Sequence, residues 1–272
     1  MKKKGILLAV VVMLGAAGFV QAEEQAKKGE LHGAIDVTYL SQYIWRGFEV
    51  FGKHGAIQPS INLDLFGTGF GISTVAHVPM GSGYVDGQRW DYSLYYHNML
   101  FEGEAYQTDY TLSYVYYNYP RLSSHTRCSW DLQEINAMLS WPKIIPGGVV
   151  PSYVLVRLWP SNSGSDVSQA AGWAHIFMLD YGWVIKDLTP EIPEQVLNLH
   201  AEIVYNDGAD PRPFGTGVDH DLSNAVLGIS TNFDLGHNLT FTPGLYCQKT
   251  LDKSVCEHDS LFWVSLGIKY SF

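Results

Sequence analysis

The chain is short of charge. Of its 272 residues only 16% are charged, against about a quarter in an ordinary soluble domain. Basic residues are the scarcer sign, 17 Lys and Arg against 27 Asp and Glu, for a formal net charge of -10. That is the wrong sign for neutralising nucleic-acid phosphates. Three cysteines are too few for a scaffold held by a disulfide framework. Beyond residue 22 no run of about 18 apolar residues recurs, so no helix there spans a bilayer, and the mean hydropathy of -0.03 agrees. Aromatics are abundant instead, with 17 Tyr, 12 Phe and 8 Trp, which excludes a disordered chain. One soluble β-rich domain or one membrane β-barrel is left.

Residues 1–22 read as a secretory signal peptide. Lys2, Lys3 and Lys4 precede an apolar run, and Val20-Gln21-Ala22 is a small-residue cleavage site ahead of Glu23. Removing the three leader lysines leaves 14 basic against 27 acidic residues, a formal charge of -13 on the exported part. Residues 23–31 form a short charged lead-in, and 32–272 read as one domain.

Period-two alternation is clearest at the end of the chain. Phe262, Val264, Leu266, Ile268, Tyr270 and Phe272 share one parity, and Leu261, Trp263, Ser265, Gly267, Lys269 and Ser271 share the other. Such a segment puts the two sets on opposite faces of a strand, and it is longer than the about five or six residues of a typical sandwich strand. The same rhythm predicts strands over 32–46, 55–66, 69–78, 89–100, 105–118, 129–141, 150–159, 173–184, 195–206, 221–233, 237–248 and 258–272. Long segments between strands fall at one end (79–88, 119–128, 160–172, 207–220) and mostly shorter ones at the other, although 142–149 and 185–194 are long for inner turns. An even number of strands with long outer loops and shorter inner turns is the pattern of an all-β, antiparallel, up-and-down transmembrane barrel of about 12 strands. In lipid every backbone polar group must be paired internally, which a closed barrel achieves and an open sheet does not.

Tryptophan separates barrel from sandwich. On this reading Trp45, Trp90, Trp130, Trp159 and Trp173 map to the outer rim, Trp263 less tightly, and Trp141 and Trp183 to the inner rim. Indole rings partition to the headgroup level, so two girdles are expected of a membrane barrel in contact with outer-membrane lipids.

At Ser41-Gln42-Tyr43-Ile44-Trp45-Arg46-Gly47 the chain resembles an uncharacterised bacterial family described as porins, whose first strand ends in Ser-x-Tyr-x-x-Arg-Gly. The resemblance covers little more than a tenth of the chain. It implies an outer-membrane barrel and supplies no catalytic residues; no cofactor is expected. The closing strand to Phe272 looks like the C-terminal signal read by the barrel-assembly machinery.

By parity Asp36, Arg46, Asp64, His77, Asp91, Asp109, His200, Glu202 and Lys269 are candidates for the lumen. A fixed guanidinium at Arg46 narrows a pore electrostatically or forms a structural ion pair that closes the interior. Polar lumen groups suit a narrow channel for small solutes, with cations favoured by the acidic balance; small barrels also plug themselves with such groups. Two other classes compete. A lipid-modifying enzyme would need His258-Asp259-Ser260 to assemble a base and an oriented third group. A non-conducting surface or adhesive barrel would use its outer loops: Asp207 to Arg212 with Asp219, His220 and Asp221 as oxygen ligands for Ca²⁺, or Arg121, His125 and Arg127 for an anion. The first of these lacks calcium-loop spacing. Cys247 and Cys256 flank the last outer loop and are candidates for a disulfide. No metal site is expected, since C-x-x-C and H-E-x-x-H are absent, and Gly81-Ser82-Gly83 and Gly67-Thr68-Gly69 read as turns.

Overall fold

Antiparallel neighbour-to-neighbour pairing organises the whole chain in the computed structural model, which describes residues 29–121, 129–187, 189 and 193–272. The leader 1–22 and most of the lead-in lie outside the described residues. The strands are β1 (His32–Leu40), β2 (Ile44–Trp45), β3 (Phe48–Glu49), β4 (Ala56–Asp64), β5 (Phe70–Pro79), β6 (Arg89–Leu100), β7 (Thr108–Asn118) and β8 (Leu132–Ser140). They continue with β9 (Val149–Pro160), β10 (Gly172–Lys186), β11 (Glu194–Asp207), β12 (His220–Thr231), β13 (Phe233–Gly236), β14 (Leu239–Thr250) and β15 (Ser260–Ser271).

The sheet runs β12-β11-β10-β9-β8-β7-β6-β5-β4-β1-β15-β14-β13 and closes through β12 against β14. Because β13 continues β12 after a one-residue break and β2 and β3 form a separate hairpin, the wall is a closed barrel of 12 strands. The ends of the wall meet where the Gly33 and Phe272 backbones exchange two 2.9 Å hydrogen bonds. Closure leaves no sheet edge, so every strand finds its backbone partners inside the wall.

Alternation sorts the side chains as the sequence anticipates. On β1, Ile35 and Val37 are exposed while Asp36 and Thr38 turn inward; on β15, Phe262, Leu266 and Ile268 are exposed while Trp263 and Ser265 are buried. The exposed row continues round the barrel through Ile61, Leu94, Leu112, Ile135, Phe177 and Leu227. A contiguous apolar belt of this kind is a liability in water and a requirement in lipid. β9 and β10 are apolar on both parities because their inner face also packs: Val154, Val156, Ala174, Ile176, Met178 and Val204 form a buried cluster inside the wall. Between β8 and β9 the chain turns over residues 141–148, while β10 extends to Lys186 and β11 begins at Glu194, so the second inner connection is shorter than the sequence suggests and lies partly outside the described residues.

The first strand departs from expectation. Instead of running to residue 46, β1 stops at Leu40, where the Ser41 N–H donates to the Val264 carbonyl and the Ser41 hydroxyl accepts the Val264 N–H. The chain then folds back into the barrel as the β2–β3 hairpin, with Trp45 opposite Phe48 and Ile44 opposite Glu49. Its two central residues, Arg46 and Gly47, both have positive φ, 50° and 91°, the geometry of a tight hairpin turn whose twist matches its strands.

Replacing Leu227, 61% exposed on β12, by Arg puts a charge into the apolar belt. An expected loss of about 2–4 kcal/mol of barrel stability follows if the position lies near the bilayer midplane, read by denaturant unfolding in lipid vesicles. The same exchange at exposed Phe214 in an outer connection leaves stability unchanged.

Candidate functional site

The hairpin sits in the outer half of the barrel and is fastened to both sides of the wall. Two buried ion pairs hold it. Arg46 donates to both carboxylate oxygens of Glu134 on β8, at 2.7 and 2.8 Å, and Glu134 is 0% exposed. The remaining capacity of that carboxylate is taken by the Tyr117 hydroxyl at 2.7 Å and the Asn136 amide at 2.9 Å. Burial alone works against the charge on Arg46. The Glu134 carboxylate more than offsets it, so the guanidinium holds its proton more tightly than a free one.

The second pair is Arg89 with Asp91 on β6, also two-pronged, at 2.7 and 2.9 Å. Arg89 donates further to the Tyr43 hydroxyl at 2.8 Å, and Asp91 meets His77 at 2.7 Å. Three aromatic rings face the Arg89 guanidinium, Trp45 at 4.2 Å, Tyr117 at 4.8 Å and Tyr43 at 5.9 Å. Trp45 faces the guanidinium of Arg46 as well, at 5.4 Å. Burial pushes the Tyr43 and Tyr119 phenols up, so both remain neutral hydroxyls beside these charges.

On the opposite wall the hairpin turn touches β12 and β14. The Gly47 carbonyl accepts from the Gln248 amide at 3.1 Å, and a Cβ on Gly47 would fall 2.5 Å from Asn224 Oδ1. Positive φ and this close approach together require glycine there. Phe48 packs with Val218 and Val255 of the outer connections, and Phe51 with Tyr84. An apolar cluster built from Leu40, Tyr43, Trp45, Phe51, Tyr117, Leu132, Leu158, Tyr246 and Trp263 thereby fills the outer half of the interior. The hairpin is a plug spanning the cross-section from β6–β8 to β12–β14.

Inward from the plug the row turns polar. Asp180 meets His200 at 2.7 Å, and Glu202 lies 3.9 Å from the other nitrogen of that ring. Asp36 accepts from the Thr38 hydroxyl at 2.7 Å and stands opposite Lys269 in the β1–β15 register. Asp64 accepts the Gly67 N–H at 2.8 Å and faces His97 at 3.2 Å, near the inner turn. Asp109 accepts from Gln107 at 3.1 Å. The anticipated lumen residues therefore form several small groups, with Arg46 in the outer half beside partners, Glu134 and Arg89, that parity alone could have supplied: Arg89 shares the phase of Asp91, and Glu134 that of Leu132 and Asn136.

Several expectations need correction. Trp45 is 2% exposed, tilted against Tyr117 at 5.3 Å, and belongs to the plug rather than a rim, because β1 ends before it. Trp263 is likewise inside, stacked on Tyr246 at 5.5 Å. Trp130 sits edge-on to Tyr119 at 5.9 Å, against the interior cluster. Trp90, Trp159 and Trp173 occupy outward positions at the outer ends of β6, β9 and β10; Trp183 on β10 and Trp141 just after β8 carry the outward phase toward the inner end. Cys247 and Cys256 are both free, since Cys247 points outward from β14 while Cys256 is buried in the last outer connection.

Among the described residues the catalytic and acidic-loop alternatives do not assemble. His258 contacts Glu49, and Asp259 pairs with Lys253, so the two are turned to different partners. Asp210 is held by Arg212 at 2.8 and 2.9 Å and Asp207 by His220, so the acidic loop directs its carboxylates to separate partners. Arg121 donates to Gln88 at 3.1 Å, whereas His125, Arg127 and Cys128 lie outside the described residues.

The fold and interior define the class: an outer-membrane β-barrel. The KdgM porin, solved in complex with disordered oligogalacturonate, is similar with a TM-score of 0.53 at 10% identity, over 88% of this chain and 99% of that one. An outer-membrane channel from Pseudomonas putida F1 is similar with a TM-score of 0.50 at 12% identity, over 92% of this chain and 99% of that one. At these identities the likeness is one of fold. No protein-family profile and no curated protein sequence matches the chain.

Removing one member of a buried ion pair strands the other. Glu134→Leu is expected to cost about 3–5 kcal/mol, and Arg46→Met added to it to restore most of that loss. Denaturant unfolding of the refolded barrel measures both. Losses that simply add would show that the two groups act independently.

Proposed function

We propose that the protein is a narrow, porin-like outer-membrane channel for small solutes, closed down at its outer mouth by the β2–β3 hairpin. The observation that carries this reading is the change of lining along the interior. The outer half is packed around the hairpin, whereas from mid-barrel to the inner end the lining keeps an acid-rich set, with Asp36, Asp180 and Glu202 near mid-height and Asp64 and Asp109 at the inner end. Polar lumen rows are what a water-filled passage uses, and an acidic row attracts cations and repels anions.

The same reading gives the Ser-x-Tyr-x-x-Arg-Gly motif a role. Ser41 ends the first strand, Tyr43 meets Arg89, Arg46 anchors to Glu134, and Gly47 makes the turn. The motif is then a device for folding the first outer connection inward, and it supports membership of the porin-like family it resembles. The apolar belt supports contact with outer-membrane lipids. The outward aromatic end of β15, Tyr270 and Phe272, supports recognition by the barrel-assembly machinery. We assign the protein no catalytic role and no cofactor, and residues 1–22 the role of a cleaved export signal.

Planar-bilayer recording tests the channel directly. The parent barrel is expected to give small openings whose reversal potential in a salt gradient indicates cation preference. Replacing residues 43–50 by a short Gly-Ser turn is expected to raise the conductance several-fold, and Asp36→Asn with Glu202→Gln to weaken the preference. Silence from both the parent and the hairpin replacement would overturn the proposal.

A further inference from the structure

The plug carries a second feature at the outer mouth. Glu49 on β3 meets Cys256 and His258 of the last outer connection, and one donor atom from each lies within 4.8 Å of the others. His258 Nδ1 is 3.1 Å from Glu49 Oε2. We propose that Glu49, Cys256 and His258 form a binding site for a zinc-class divalent transition metal, which clamps the inserted hairpin to the last outer connection.

The ligand set selects that class of metal. A thiolate, an imidazole and one carboxylate suit a borderline-soft ion, whereas Ca²⁺ and Mg²⁺ need several oxygen ligands. With metal–ligand distances of roughly 2.0–2.3 Å a tetrahedral ion holds its donors about 3.3–3.8 Å apart, so the observed spread closes by side-chain rotation. Access fits too: Cys256 is buried at 5%, the Glu49 side chain is 13% exposed and that of His258 44%. The open side at His258 leaves room for water as a fourth ligand, as in zinc sites with three protein ligands. Binding releases the thiol proton of Cys256 to solvent as the thiolate–metal bond forms.

The surroundings hold these groups in place. The Gln42 amide donates to Glu49 Oε1, which leaves Oε2 turned to His258 and free for a metal. Such outer-shell partners fix the orientation of ligands. Val255, next to Cys256, is buried against Phe48 of the hairpin, and the Cys256 N–H donates to the Asp252 carbonyl. The site depends on the hairpin lying inside the barrel and is independent of whether the barrel conducts.

Cobalt provides a spectroscopic stand-in for zinc. Titrating Co²⁺ anaerobically into the folded full chain in detergent is expected to develop a thiolate-to-cobalt charge-transfer band in the near ultraviolet, complete at one equivalent and abolished by added Zn²⁺. The band should be lost in Cys256→Ser and kept in Cys247→Ser and Cys128→Ser. His258→Ala, at an exposed position that folding tolerates, should weaken binding by at least roughly tenfold, a loss that even outer-shell partners of a metal produce. Heat-modifiable gel mobility identifies the folded variants, and Glu49→Gln with His258→Ala carries the test if Cys256→Ser does not fold. No band at one equivalent in the parent, a band surviving in folded Cys256→Ser, or undiminished binding by His258→Ala would overturn the proposal.

Discussion

Four charges buried inside the barrel decide where the first outer connection goes. Arg46 and Glu134, and Arg89 and Asp91, form two-pronged pairs, and both guanidinium groups approach the Trp45 ring. An isolated buried charge costs several kcal/mol, so each is tolerable only beside its partner. Arg46 belongs to the hairpin and Glu134 to the wall. If the hairpin left the interior, Glu134, Arg89 and Asp91 would keep their places on the wall, but Glu134 would lose its counter-ion and Arg89 two of its three aromatic faces. The charges thus work as a register lock, with no net charge among them, and the apolar contacts of Tyr43, Trp45 and Phe51 supply the burial that charge pairing cannot.

The same arrangement explains why the interior has two characters. The outer half resembles the core of a soluble protein, with tyrosine and tryptophan rings packed on buried branched residues. The inner half keeps carboxylates, histidines and hydroxyls in small groups. Between a filled small barrel and a wide porin, 12 strands enclose a space that one short hairpin can occlude. The outward rows are mainly apolar, so the barrel reads inside-out relative to a soluble sandwich: its buried charged pairs face the interior and its aliphatic side chains the outside.

Much of the wall was legible in the sequence, because lipid outside and a mostly polar interior oblige most strands to alternate. Ile57, Pro59, Ile61 against Gln58, Ser60, Asn62 shows it plainly on β4, and the β15 segment shows it for twelve residues. The plug was not legible, for an equally physical reason. Residues 41–46 continue the rhythm of β1, and nothing local says that the strand ends at Leu40. What ends it is a pair of hydrogen bonds between Ser41 and Val264, residues far apart in sequence. Arg46 carries an inward phase, but its carboxylate partner lies 88 positions away on another strand. Trp45 leaves the rim for the same reason: its strand ends before its phase can place it there. The cluster of Glu49, Cys256 and His258 has no spacing signature either, since its members come from the first and last outer connections.

Amide hydrogen exchange over residues 43–50 tests the inserted hairpin most directly. Buried inside the wall and paired through Ile44–Glu49 and Trp45–Phe48, these amides should exchange as slowly as those of the neighbouring wall strands β4 and β5, because they open only when the plug does. Exchange as fast as that of the exposed inner turn 101–106 would mean that the hairpin lies outside the barrel, and would contradict the buried charge lock on which the closed mouth depends.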